Sequence, residues 1–210
     1  TWKINAATLV ITAASPSTIF YGGTKASDTF TVTGLNAADS ISGITYTYTG
    51  SGATVYGPTT TAPTAAGTYS ITPSAATFVD AASAAKYSTI TYTAGSFTIS
   101  KKALTVTPTN QDIVYGATAS ISFGVTGFAT IGGTLESAAT AAGYTAPTCA
   151  VSTYSASSNA GTTHTINCSG GLANNYTFTT TATATATVIK ATLSVVPDAK
   201  SVNYGDAAPT

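Results

Sequence analysis

Apolar and hydroxyl-bearing residues alternate along most of the chain. Thr8-Leu9-Val10-Ile11-Thr12, Phe30-Thr31-Val32-Thr33, Ile44-Thr45-Tyr46-Thr47-Tyr48, Ile90-Thr91-Tyr92-Thr93 and Ala103-Leu104-Thr105-Val106-Thr107 all read with period two. That period puts successive side chains on opposite faces of a strand, one inward and one toward water. The β-branched residues filling these runs favour the extended backbone. Between the runs stand turn-forming clusters such as Tyr21-Gly22-Gly23, Thr49-Gly50-Ser51-Gly52, Ile131-Gly132-Gly133 and Ser169-Gly170-Gly171. Short strands punctuated so densely predict an all-β sandwich or barrel. The Ala-rich stretch from Ala75 to Ala85 lacks a helical apolar stripe and predicts a turn at most.

The pattern repeats itself. Lys3-Ile4-Asn5-Ala6-Ala7-Thr8-Leu9-Val10 matches Lys101-Lys102-Ala103-Leu104-Thr105-Val106, and both match Ile189-Lys190-Ala191-Thr192-Leu193-Ser194-Val195. A Tyr-Gly pair follows each: Tyr21-Gly22, Tyr115-Gly116 and Tyr204-Gly205, at intervals of 94 and 89 residues by subtraction (115 − 21, 204 − 115). Val32-Thr33-Gly34-Leu35 keeps phase with Val125-Thr126-Gly127-Phe128, and Lys86-Tyr87 with Asn175-Tyr176. Self-similarity at a fixed period marks a repeat architecture. The reading is two complete repeats, 1–100 and 101–189, and the opening strand and turn of a third, 190–210.

These landmarks resemble the MBG repeats (Tyr-Gly-x, or YDG, type) of large bacterial surface and adhesin-like proteins. Tyr204-Gly205-Asp206-Ala207-Ala208-Pro209, Gly67-Thr68-Tyr69-Ser70-Ile71 and Asn174-Asn175-Tyr176-Thr177-Phe178 carry the likeness, which spans nearly the whole chain. The first two repeats have Tyr-Gly-Gly and Tyr-Gly-Ala where the third has Tyr-Gly-Asp. The resemblance implies extracellular, immunoglobulin-like β-sandwich modules, arranged end to end in a cell-surface stalk or adhesive fibre. It brings no catalytic residues. Read from the residues alone, Tyr-Gly is a strand-ending corner. The Gly permits positive φ, and the Tyr buries its ring while its hydroxyl reaches a backbone group. An exposed aromatic for carbohydrate stacking is the alternative role.

Composition removes several functions. Thr occupies 46 of the 210 positions, charged residues make up 7%, and the net charge is zero, with seven Lys and no Arg. That gives no basic footprint for nucleic acid. Apolar runs are too short for a membrane span. Thr1-Trp2-Lys3-Ile4-Asn5 lacks the features of a signal peptide and reads as a mature end or an internal cut. A hydrophobic share of 43% favours folding over disorder.

Chemistry has little to work with. His164, the single His, is read as an outward-facing strand residue, and Glu136 is the single Glu, so no paired-Glu glycosidase site exists. Asp28 with Asp39 and Asp198 with Asp206 are read as solvated loop acids, and no Cys/His cluster has metal spacing. No cofactor, metal or catalytic residue is expected. Lys101, Lys102 and Lys190 sit at repeat boundaries and are read as solvated or junction-packing residues, not as isopeptide donors. Cys149 and Cys168, both near strand-like text in a chain of exported character, predict a disulfide.

The boundaries carry the functional expectation. Phe97 to Val106 and Ala186 to Val195 pass from one repeat to the next with no Gly/Ser linker, which implies a stiff rod. The Thr179–Thr187 run is an edge-strand hazard if left unpaired. The sequence therefore reads as a structural surface protein whose partners are copies of itself or adjacent repeats. The alternative is an adhesin module that binds a carbohydrate or host protein through its loops.

Overall fold

A computed structural model describes residues 3, 5–180 and 183–207. Trp2, the start of the N-terminal segment, two residues of the Thr179–Thr187 run and the Ala208-Pro209 end of the third Tyr-Gly motif lie outside them.

The fold is nearly all β. The first hundred residues hold β1 (Ala7–Ala13), β2 (Ile19–Phe20), β3 (Phe30–Thr33), β4 (Ile41–Gly50), β5 (Gly67–Phe78), β6 (Tyr87–Thr93) and β7 (Gly95–Ser100). After them come β8 (Lys102–Pro108), β9 (Gln111–Val114), β10 (Phe123–Thr126), the short β11 (Thr130–Ile131) and β12 (Thr134–Leu135), and β13 (Thr145–Val151). The last three are β14 (Thr163–Leu172), β15 (Tyr176–Thr180) and β16 (Ala184–Ile189). Alternation decides the faces: Leu9, Ile11 and Ala13 of β1 are buried, as are Leu104 and Val106 of β8 and Ala184, Ala186 and Val188 of β16. The intervening Thr residues of β16 stay on its other face, and β16 is paired on both sides, by β14 and β9.

One pairing order occurs twice. In the first hundred residues a three-stranded sheet runs β3-β1-β6 and a four-stranded sheet runs β2-β7-β5-β4. The later strands form β10-β8-β15 and β9-β16-β14-β13. The directions match as well: β1 is parallel to β6 as β8 is to β15, and β2 is parallel to β7 as β9 is to β16. Each strand of the first set therefore has a counterpart in the second, which adds β11 and β12, paired with each other.

Packing divides the chain into two compact units that interleave along the sequence. The first comprises Thr1–Thr107, Gly124–Thr148 and Cys168–Thr181; the second comprises Pro108–Phe123, Cys149–Asn167 and Ala182–Thr210. In the first unit Leu9, Ile11 and Tyr87 form one core with Val32, Ile41, Phe78 and Tyr92. A larger aromatic core joins Tyr48, Tyr69, Phe97 and Tyr21 to Leu104, Ala129 and Tyr176. The second unit packs Ile113, Ile166, Ala184 and Ala186 with Ile121, Val151 and Tyr154. The first unit thus gathers residues from 1–100 and from 101–189 around one set of rings.

Two local expectations change. Ala81–Lys86 forms a 3-10 helix, more than a turn, because Asp80 accepts from the Ala82 N–H and Ser83 turns inward to Asp39. Residues 190–203 form no strand, although their counterparts build β1 and β8. β1 and β8 are each held between two neighbouring strands, and no such neighbours flank 190–203 among the described residues. No helix among the described residues is long and apolar enough to cross a membrane.

Candidate functional site

All three Tyr-Gly pairs keep the same backbone turn. Each sits in a turn, with φ of 81° at Gly22, 87° at Gly116 and 95° at Gly205, a region that only Gly enters without strain. The turn is anchored alike where it follows a strand. Tyr21 N–H donates to Ser100 O at 2.8 Å and Tyr115 N–H to Ile189 O at 2.9 Å. Gly23 N–H closes on Phe20 O as Ala117 N–H closes on Val114 O.

The side chains differ. Tyr21 is 8% exposed, Tyr115 is 48% exposed, and Tyr204 is fully exposed. The buried-corner expectation therefore holds for Tyr21 alone, and even there the hydroxyl donates to a carboxylate, Glu136 Oε1 at 3.1 Å, and not to the backbone. The reason is what stands in front of each ring. The Tyr21 ring meets that of Tyr176 edge-on, centroids 5.3 Å apart. A Cβ added to Gly22 would lie 2.6 Å from Ala129 Cβ, whereas one added to Gly116 or Gly205 would meet nothing.

What Tyr21 packs against is a latch built from residues 129–176. Tyr176 leads β15, and its hydroxyl donates to Glu136 and accepts from the Ala129 N–H at 2.9 Å. Asn175, just before it, accepts at Oδ1 from the Ala66 N–H at 2.9 Å, and its carbonyl accepts from the Lys102 N–H. Only Lys101 separates β7 from β8 beside this contact. Burial, first, and the Glu136 carboxylate, second, favour the neutral phenol and push Tyr176 up to about 12; the same two causes raise Tyr21.

An equivalent latch lies within residues 1–100. Tyr87 donates to Asp39 Oδ2 at 2.8 Å and accepts from the Asn36 N–H at 3.0 Å. Asp39 N–H returns to Asn36 O, as Glu136 N–H returns to Ala129 O. Asp39 also accepts from Lys86 Nζ and Ser83 Oγ, and these donors hold its carboxyl down to about 2. Sequence reading found the two tyrosines as landmarks, but it read Asp39 as a solvated loop acid and gave Glu136 no part beside them. Asp39 lies three residues after Asn36 and Glu136 seven after Ala129, because the β11–β12 hairpin intervenes.

Other acids and the His also move from their expected places. Asp39 is buried, and Asp28 is partly buried against Lys25 Nζ at 2.5 Å and the Tyr48 hydroxyl, so neither is a solvated loop acid. Those phenols and ammonium groups satisfy carboxylates that would otherwise resist leaving water. Asp198 and Asp206 are exposed. No three His, Cys, Asp or Glu among the described residues are grouped to hold a metal. His164 lies on the face of buried Ile166, half-buried rather than outward, between the hydroxyls of Thr153 and Thr162 and edge-on to Tyr154. Lys101 and Lys102 reach the carbonyls of Ala173 and Phe128. Cys149 and Cys168 form a disulfide.

A groove of about 250 Å³ beside the latch is lined by Ile19, Gly22, Gly23, Lys25, Pro63 and Ile131. It presents apolar walls and turns beside the ammonium group of Lys25, an arrangement suited to holding surfaces together. No family model, curated protein or solved structure matches the chain.

Proposed function

We propose that this chain is a structural, cell-surface protein of MBG-like β-modules, serving as a stalk, fibre or surface-layer element through end-to-end and lateral module contacts. The observation that carries this reading is the seating of Tyr21 and Ala66 on Tyr176, Glu136 and Asn175. Residues from one sequence repeat complete the polar and aromatic packing of the next, with a single residue between the adjoining strands. Such a junction resists bending, because swinging it would strip partners from buried hydroxyls and a carboxylate. The repeated pairing order supports a modular build. The disulfide fits an oxidising compartment outside the cell. Thr-covered strand faces solvate such a module without charge.

Electron microscopy of the native envelope, with a label on this chain, tests the reading. The expected result is label along projections, filaments or a lattice. Label confined to the cell interior would overturn it. Saturable binding of one glycan by dispersed chains, with no assembly, would favour the adhesin alternative.

A further inference from the structure

We propose that the face carrying Tyr115, Ala160, Lys190, Ala191 and Leu193 is the docking face for one further β-module of the same kind. That module presents an Asn-Tyr pair and an acid to Tyr115 and Ala160. It takes the segment Ala191–Val196 as the central strand of its three-stranded sheet. This rests on the end-to-end reading above and names the partner.

The inference follows from comparing counterparts. Tyr115 occupies the backbone position of Tyr21, as the two shared turn hydrogen bonds show. Ala160 precedes Gly161, whose N–H donates to Val188 O, just as Ala66 precedes Gly67 opposite Ile99. At the first pair the partner groups are present: the ring of Tyr176, the carboxylate of Glu136 and the amide oxygen of Asn175. At the second pair there is instead an open groove of about 440 Å³, lined by the five residues named.

The segment beyond it is in the same condition. Leu193 is the counterpart of Leu104; Leu104 is fully buried in the centre of β10-β8-β15, and Leu193 is 90% exposed. Val195 is exposed where Val106 is buried. Two aliphatic side chains two positions apart, bare in a segment that runs on from an exposed Tyr, form an apolar surface that association would cover. The occupant must therefore supply a strand on each side of the segment and an acceptor for a phenol. A module built like residues 101–189 supplies both.

The test uses a chain of residues 1–196 continued by a second copy of residues 108–189, beside the 210-residue chain. Both are treated with tetranitromethane, and nitration is located by peptide mass. In the 210-residue chain Tyr115 is expected to react readily and Tyr21 slowly. In the extended chain Tyr115 should slow about tenfold, the order that one charge-assisted hydrogen bond gives. Glu136→Gln in the added copy alone should restore much of the reactivity, which mere steric cover would not do. A Tyr115 equally reactive in both chains overturns the proposal. So does an added copy that fails to fold on Ala191–Val196. Protection of Tyr115 together with an interior location in the envelope experiment would remove the functional reading and leave the docking intact. Labelled projections with an unprotected Tyr115 would do the reverse.

Discussion

Tyr21 stands edge-on to Tyr176, ring centroids 5.3 Å apart and planes at 82°, and both hydroxyls donate to the one carboxylate of Glu136. Two residues 155 positions apart (176 − 21) thus share an acceptor and a ring contact. Tyr21→Phe keeps the ring and removes a hydrogen bond to a charged group. It is expected to lower unfolding free energy by about 1–2 kcal/mol. Tyr115→Phe, at an exposed ring, should change it by less than about 0.5 kcal/mol. Urea unfolding of both variants checks the contrast, and equal effects would show that the Tyr21 contact contributes nothing special.

The same carboxylate sets an alkaline response. Tyr176 ionises near 12 instead of its ordinary 10, because burial and the Glu136 charge favour the neutral form. A raised folded value means that this stability is full below pH 10 and drains away as pH climbs toward 12. Glu136→Gln removes the carboxylate and leaves burial, so the upper end of that window should fall. Phenolate absorbance followed against pH would show two of the delayed tyrosines, Tyr176 and Tyr21, titrating earlier in the variant, while Tyr48, which pairs with Asp28, stays delayed.

Acid acts through the first latch. Lys86, then Ser83 and Tyr87, donate to Asp39 and bring it from 3.8 to about 2. A depressed value means that the stability is present above the ordinary carboxylate range and is lost as pH falls through that interval. Lys86→Met removes the largest cause, so loss of structure on acidification, read by circular dichroism, should begin at higher pH than in the parent. An unchanged acid midpoint would mean that Asp39 does not govern it.

Gly22 and Gly116 form a matched pair, with φ of 81° and 87°. Alanine at either position carries the left-handed backbone penalty of about 1 kcal/mol. At position 22 its Cβ also collides with Ala129, whereas at 116 it meets open space. Gly22→Ala should therefore cost about 1–3 kcal/mol more than Gly116→Ala, the usual range for overpacking. Thermal unfolding of the two variants measures the difference directly.

The Cys149–Cys168 bridge closes a loop of about 20 residues, for which chain-entropy arguments give about 3 kcal/mol. Reduction is expected to lower the melting temperature without abolishing the fold, since residues 1–100 hold a complete pair of sheets with no cysteine. Complete unfolding on reduction would contradict this.

Much of the molecule was legible in the sequence, because strands are written locally. Alternation at Thr8–Thr12 or Ala103–Thr107 states which side chains face inward, and Gly after Tyr states where the backbone must reverse. The matched turns at Tyr21, Tyr115 and Tyr204 followed from the same local text. Which of those tyrosines is buried did not. Tyr21, Tyr115 and Tyr204 carry the same motif, and only packing places Tyr176, Glu136 and Ala129 before the first. The acids of the two latches were hidden for a related reason: a four-residue shift, caused by the β11–β12 hairpin, breaks their alignment although hydrogen bonding restores it. His164 and Asp39 likewise took their faces from neighbours distant in sequence. Periodicity encodes how a strand divides its own side chains, whereas burial of a ring or a charge depends on what another segment brings to it, and that is fixed only in three dimensions.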